Sequence, residues 1–261
     1  MAAKKLKLDV NDMVKRLMWV AVAFMVMALV ISMVARKESK MVAGVNIEIT
    51  ALKDGHFLMT KEDVNLAIER SFGFPLSSMP IGVVDVKRLE KVLNEEPFVK
   101  EVNVFVGSDN IVNIVLKQRE PVLRIIDHNG LNYYLDEDGV KMPPSKNFTT
   151  RVLVATGNIP PYQADYLKEK NGVLSQLYEL SKILKADEFL KPMIEQIYVN
   201  NKGEFTLVPK LGKQKILFGR YTKVKDRLSR LKVFYKEVMP YKGWAKYKTI
   251  DLRYEGQVVC R

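Results

Sequence analysis

The sequence predicts an α+β protein with an N-terminal transmembrane helix, a small β-α-α-β-β unit, and a β-rich domain with an antiparallel sheet and covering helices. Three observations carry this expectation. Leu17 to Ala35, LMWVAVAFMVMALVISMVA, is a run of nineteen residues without a charge. Short stretches between 45 and 116, and again beyond 121, alternate apolar with polar residues as half-buried strands do. The 261 residues are 48% hydrophobic, enough for one or two folded cores.

A helix of nineteen residues spans about 28 Å, close to the hydrocarbon thickness of a bilayer. A cleaved signal peptide has a shorter apolar region that closes on small residues. Here the run closes M-V-A-R-K, with Met33 where a small residue is needed, so a retained anchor is expected. Leu17, Trp19, Phe24, Leu29 and Ile31 are among its membrane-facing residues. Five Lys or Arg precede the span, and Arg36, Lys37 and Lys40 follow it. That bias places residues 1–16 in the cytoplasm and the bulk of the chain outside it.

The formal charge is +12, which favours anionic partners. Residues 1–40 account for +5 of it, with eight Lys or Arg against Asp9, Asp12 and Glu38, so the excess elsewhere is smaller than it first looks. Cys260 is the single cysteine, which excludes an intramolecular disulfide. Neither His56 nor His128 shares a catalytic motif with it, so a cysteine nucleophile is not expected.

Val45 to Ile49 alternates as a strand. Thr60 opens T-K-E-D, a helix-start signature related to the capping box, and Val64, Ala67, Ile68 and Phe72 then share one helical face. A second helix is expected from Asp85, with Val86, Leu89, Val92 and Leu93 inward, ending before Pro97. Val102, Val104 and Val106 share the face of one strand, Gly107 to Asn110 turns the chain, and Val112, Ile114 and Leu116 share the face of the next.

Residues 133–143 read YYLDEDGVKMP, and Asp-Glu-Asp-Gly admits three readings: a calcium loop, a catalytic acid pair or a hairpin turn. A calcium loop counted from Asp136 meets Val140 at position 5 and Asn147 at position 12, so half of its oxygen ligands are missing. The turn suits the residues, because Asp bonds the local backbone and Gly accepts positive φ.

Further on, Val152 to Ala155 reads as a strand ended by Thr156-Gly157. Asn171 is placed to cap a helix bearing Leu174, Leu177, Tyr178, Ser181 and Leu184 on one face. Ile194–Val199, Glu204–Val208 and Lys215–Phe218 read as three strands. KVKDRLSRLKVFYKEVMP (223–240) is an amphipathic basic helix, with Val224, Leu228, Leu231, Tyr235 and Val238 as its stripe. Such a helix can bind a membrane or nucleic acid, or cover a sheet and leave its cations in water. The covering role is expected here, with Trp244 and Tyr247 as packing residues. YKTIDLRYEGQVVCR (247–261) reads as the closing strand.

The β-α-α-β-β order over residues 41–120 resembles a POTRA domain, an extracytoplasmic protein-interaction module. A single span, that unit, then REPVLRI, YYLDEDGVKMP and the ending IDLRYEG together resemble the bacterial cell-division family FtsQ/DivIB. Leu123 stands where many relatives have alanine. The resemblance implies a β domain over 121–261 and a scaffold rather than an enzyme, with no cofactor. It implies FtsB/DivIC-like and FtsL-like single-span coiled-coil partners, with other divisome proteins as candidates for the POTRA unit. Neither nucleic acid nor a small-molecule substrate is expected. The partner-binding residues it implies are Ile250, Leu252, Arg253, Tyr254 and Gly256, on a strand at the sheet edge. Two other classes are an outer-membrane assembly factor, which needs tandem modules and barrel strands, and a membrane-tethered enzyme, for which no catalytic fingerprint stands in the chain.

Overall fold

The computed structural model describes residues 10–261, so most of the expected cytoplasmic tail, residues 1–9, lies outside the described residues. Helix α1 (Val10–Glu38) carries the apolar run, and its stretch Val14–Met33 is long and apolar enough to cross a membrane. The stretch starts three residues before Leu17 and takes in Lys15 and Arg16, whose long stems let a charge reach the interface. Leu17, Trp19, Phe24, Leu29 and Ile31 all lie on it with exposed side chains. A helix apolar on every side and uncovered by protein suits lipid.

By its contacts the chain divides into two compact units. One holds the chain through Glu48, with Lys61–Glu95 and Val102–Leu116; the other holds Ile49–Thr60, Glu96–Glu101 and Lys117–Arg261.

Strand β1 (Gly44–Thr50), helices α2 (Lys61–Phe72) and α3 (Val86–Asn94), and strands β2 (Val99–Val106) and β3 (Ile111–Gln118) follow the expected order. The strands form a sheet in the order β1-β3-β2. Val112, Ile114 and Leu116 are wholly buried, as their alternation requires, and so are Leu89 and Leu93 of α3. Helix α3 starts where the Asp85 carboxylate accepts the Arg88 N–H at 3.0 Å, closing an orphan donor of its first turn. Between the helices run two 3₁₀ turns, Leu76–Ser78 and Ile81–Val83, each entered from a proline (Pro75, Pro80).

The larger unit is built on β4 (Pro121–Ile126), β5 (Asn132–Asp136), β6 (Lys141–Met142), β7 (Leu153–Gly157), α4 (Val173–Ala186), β8 (Ile194–Val199), β9 (Phe205–Pro209), β10 (Lys215–Gly219), α5 (Val224–Val233), α6 (Met239–Lys242), β11 (Thr249–Asp251) and β12 (Val259–Cys260). These strands form one sheet in the order β12-β11-β10-β9-β8-β7-β4-β5-β6. The sheet is mixed and not antiparallel as expected, because β4/β7, β7/β8 and β10/β11 pair in parallel. Alternation shows which face a residue takes but not the direction of its neighbour. Helix α4 separates β7 from β8, and α5 and α6 separate β10 from β11; crossovers of that length are what parallel neighbours need.

The core joins Leu123, Ile125, Leu135, Ile197, Leu207, Ile216, Phe218 and Ile250 of the sheet to the buried faces of α4 and α5. Leu174, Leu177, Tyr178, Ser181 and Leu184 are all buried, the face the sequence marks. The residue that opens α4 is Gly172, in extended backbone, and not Asn171 one position upstream.

Segment 223–240 is not one helix. After α5 the chain takes a π-helical turn, Phe234–Val238, before α6. Pro240 has no N–H for the carbonyl four residues back, and a widened turn ahead of it absorbs that loss. Leu228, Leu231, Phe234, Tyr235 and Met239 are buried. Not all of its cations stand in water: Arg227 is buried and donates to the carbonyls of Phe218 at 2.9 Å and Arg220 at 2.6 Å.

Candidate functional site

Asp136 ends β5 and is the pivot of the acidic turn. Its Oδ1 accepts the N–H groups of Asp138 (2.9 Å) and Val140 (2.7 Å), and its Oδ2 accepts Nη1 of Arg119 (2.8 Å). The carboxylate is 1% exposed. With its oxygens taken up in this way, Asp136 is a structural staple and the turn joins strands. Tyr178 Oη donates to the Glu137 carbonyl at 2.6 Å and Tyr166 Oη to that of Gly139 at 3.1 Å, so the backbone of the turn is bound from α4 and from the 3₁₀ turn Tyr166–Lys168. Lys53 and Lys185 both pair with the Glu137 carboxylate and hold its pKa below the ordinary range. Among the described residues no group of three or more His, Cys, Asp or Glu is placed to hold a metal.

At the other end of the sheet the closing segment is a hairpin, where one long strand was expected. β11 pairs with β10 on one side and β12 on the other, so β12 and not β11 is the edge. Ile250 and Leu252 are wholly buried in the core. Their side chains build the fold, which takes them out of the expected partner-contact set. Arg253 is engaged within the chain: its Nε and Nη2 donate to Asp251 at 2.9 and 2.7 Å, and its own N–H donates to Asp251 at 3.0 Å. The Arg253 guanidinium thereby holds the Asp251 carboxyl below its usual range, and burial works the opposite way more weakly.

Tyr254, Glu255 and Gly256 occupy the exposed turn between the two strands. Tyr254 is 49% exposed. Gly256 has φ +66° and open space where a Cβ would stand, so only its backbone conformation asks for glycine. The turn is nonetheless held. Arg230 of α5, anchored on Asp226 at 2.9 and 3.0 Å, donates to the carbonyls of Leu252 (3.2 Å), Tyr254 (3.0 Å) and Gln257. Lys223 pairs with Glu255. The sequence marked Arg230 only as one of many cations on a basic helix; Asp226 four residues before it was the one local sign of a fixed position.

Edge strand β12 is short, and its hydrogen bonding has a direction. Arg261 and Thr249 exchange N–H···O bonds at 3.0 Å each, and Val259 faces Asp251. In an antiparallel ladder the residue between two such positions turns its N–H and C=O the other way. That residue is Cys260, whose amide and carbonyl face outward from the sheet. Its thiol is partly buried against the core, which pushes its pKa up and works against a thiolate nucleophile.

Two family models match the chain. One, described as FtsQ/DivIB, C-terminal related, matches residues 120–261, the whole of the nine-stranded sheet with its helices. The other, a POTRA-like domain, matches residues 40–117, the three-stranded sheet with α2 and α3. No curated protein matches the chain. The first match alone covers more than half of the residues, and with the POTRA-like unit and the N-terminal apolar helix it leads to one conclusion: the chain belongs to the FtsQ/DivIB family.

Proposed function

We propose that the chain is a non-enzymatic, membrane-anchored scaffold of the bacterial divisome that captures single-span coiled-coil partners of FtsB/DivIC and FtsL type by strand addition at β12. Family membership supports a divisome-type role, and the apolar helix is consistent with a single-pass protein of the inner membrane. In this reading residues 1–16 are cytoplasmic, 17–35 span the membrane, and the POTRA unit (41–120) and β domain (121–261) stand outside the cytoplasm.

The observation that carries the reading is the outward N–H and C=O of Cys260 on an uncovered edge strand. An unpaired edge is a template for a further strand, with main-chain bonds giving affinity and side chains giving specificity. Tyr254, exposed on a turn clamped by Arg230, supplies an aromatic anchor that needs little ordering on binding. Arg253 serves by tying the root of that turn to Asp251, and Gly256 by allowing its conformation.

Cys260→Pro tests this. Proline removes the outward N–H and leaves the bonds of Val259 and Arg261 to β11 in place, an edge position where proline is tolerated. The expected result is at least a tenfold loss in recovery of single-span partners from native membranes, with the melting temperature nearly unchanged. Full recovery by a folded Cys260→Pro protein would sink strand addition at this edge.

A further inference from the structure

Two segments meet at the end of the sheet opposite the Tyr254 turn. One is the loop between β9 and β10 (Lys210–Gln214); the other runs from α6 to β11 (Tyr241–Lys248). Gln214 Nε2 donates to the Trp244 carbonyl at 3.0 Å, and the Lys215 N–H to the Lys248 carbonyl at 2.9 Å, which staples the two together. Parallel pairing of Lys215 with Thr249 fixes their common level.

Together with Lys215, the first residue of β10, they expose Lys210, Lys213, Lys242, Lys246 and Lys248. No acidic residue stands in 205–218 or 239–250. None of the six has an ion-pair partner among the described residues, whereas Lys53, Lys185, Lys223 and Lys232 elsewhere in the chain are all paired. Among these cations stand three large apolar side chains: Leu211 at 65% exposure, Tyr241 at 84% and Trp244 at 44%. The Trp244 ring is anchored at its inner side on buried Tyr235, with ring centroids 5.7 Å apart.

We infer that this lysine-rich end of the β domain docks on an anionic phospholipid surface, with Leu211, Tyr241 and Trp244 entering the headgroup region. Unpaired lysines beside single exposed aromatic and aliphatic tips have the chemistry of interfacial binding. The cations gain from the surface potential of anionic lipid, and Tyr and Trp settle at the headgroup level. A bilayer is also permanently within tether, because α1 of the same chain is apolar enough to span one. Weak attraction then acts at a high effective concentration. The patch lies on loops other than β12, so lipid docking and partner capture at that edge are separable.

Trp19 and Trp244 are the two tryptophans, which permits a direct test. Full-length protein carrying Trp19→Phe, so that Trp244 alone reports, is reconstituted into nanodiscs of zwitterionic lipid or of lipid containing about a third phosphatidylglycerol, each with brominated acyl chains. The expected result is a blue shift and quenching of Trp244 only in the anionic bilayer, reversed by high salt. Each lysine changed to glutamine among Lys210, Lys213 and Lys246 lowers the docked-to-undocked ratio roughly fivefold. The salt titration stands by itself if a variant fails to fold. Equal Trp244 emission in both bilayers would overturn the proposal. So would quenching indifferent to salt, or a blue shift seen only on adding an acidic partner protein.

Discussion

The hairpins at the two edges of the large sheet start alike and are held differently. β5–β6 and β11–β12 each begin at a buried aspartate bound to an arginine, Asp136 to Arg119 and Asp251 to Arg253, and each ends in a strand of two residues. The first turn is bound at several points, with Asp136 and Gly139 buried and Asp138 and Val140 exposed. Tyr166 and Tyr178 bind its carbonyls, and Met142 of β6 packs with Leu52, Leu58 and Tyr134. Ser145 and Asn147, just beyond β6, donate to the Leu58 carbonyl. The second turn is held from α5 and the residue before it, by Arg230 and Lys223, and leaves Tyr254 exposed beside the edge strand β12. A short edge strand is a managed liability when covered and a docking surface when left open. One hairpin is bound into the fold, and the other carries the surface proposed for partner capture.

Breaking the closed hairpin gives the largest effects. Arg119→Met leaves the Asp136 carboxylate buried without its cation, and a loss of about 3 kcal/mol in folding free energy is expected from denaturant unfolding. Partner recovery should follow folded protein alone. Gly139→Ala comes next. At φ +79° a Cβ would stand 2.7 Å from Tyr166 Oη and 2.9 Å from Leu167 Cδ1, so about 2 kcal/mol is expected from strain and displacement together. Gly256→Ala, at φ +66° with free space, should lose only about 1 kcal/mol. Equal losses at the two glycines would erase the contrast between the turns.

Tyr254→Ala sharpens the comparison from the other side. The folding free energy should move by less than about 0.5 kcal/mol, while partner affinity falls by about 2 kcal/mol, close to thirtyfold by titration calorimetry. The smallest effect is electrostatic. Asp251 has its pKa lowered by Arg253, so it contributes stability that is complete above the ordinary carboxylate range and lost as pH falls through its lower folded value. Asp251→Asn should therefore lower the melting temperature slightly at neutral pH and flatten its decline below about pH 4.

Much of the chain could be read from local pattern. The uncharged run marked α1, period-two alternation marked β1, β2, β3 and β8, and helical spacing marked the buried faces of α2, α3 and α4. Asp136 as the head of a turn was also legible, since Asp-x-x-Gly states its own backbone geometry. Other features were not. Arg119 and Asp136 meet because β4 and β5 pair with Pro121 opposite Asp136, a register that no local window contains. Arg230 reads as one more surface cation until the packing of α5 brings three carbonyls of the closing turn to its guanidinium.

The candidate site shows the division most clearly. Ile250 and Leu252 are expected at a partner surface because the ending IDLRYEG resembles the partner-contact region of the family, whereas their alternation reports only that one face is buried and one open. Which face is buried, and which strand lies outermost, depends on the strand that pairs next. Val259–Cys260 folds back over β11 and takes the edge, so Ile250 and Leu252 belong to the core and Cys260 carries the outward hydrogen-bonding groups. By itself the sequence determined the N-terminal apolar helix, the two-part α+β plan and a turn such as Asp136–Gly139, because hydropathy, periodicity and turn chemistry act between near neighbours. Only the tertiary structure decided the parallel pairings, the identity of the edge and the clamp on its turn, because those follow from contacts between residues far apart in the chain.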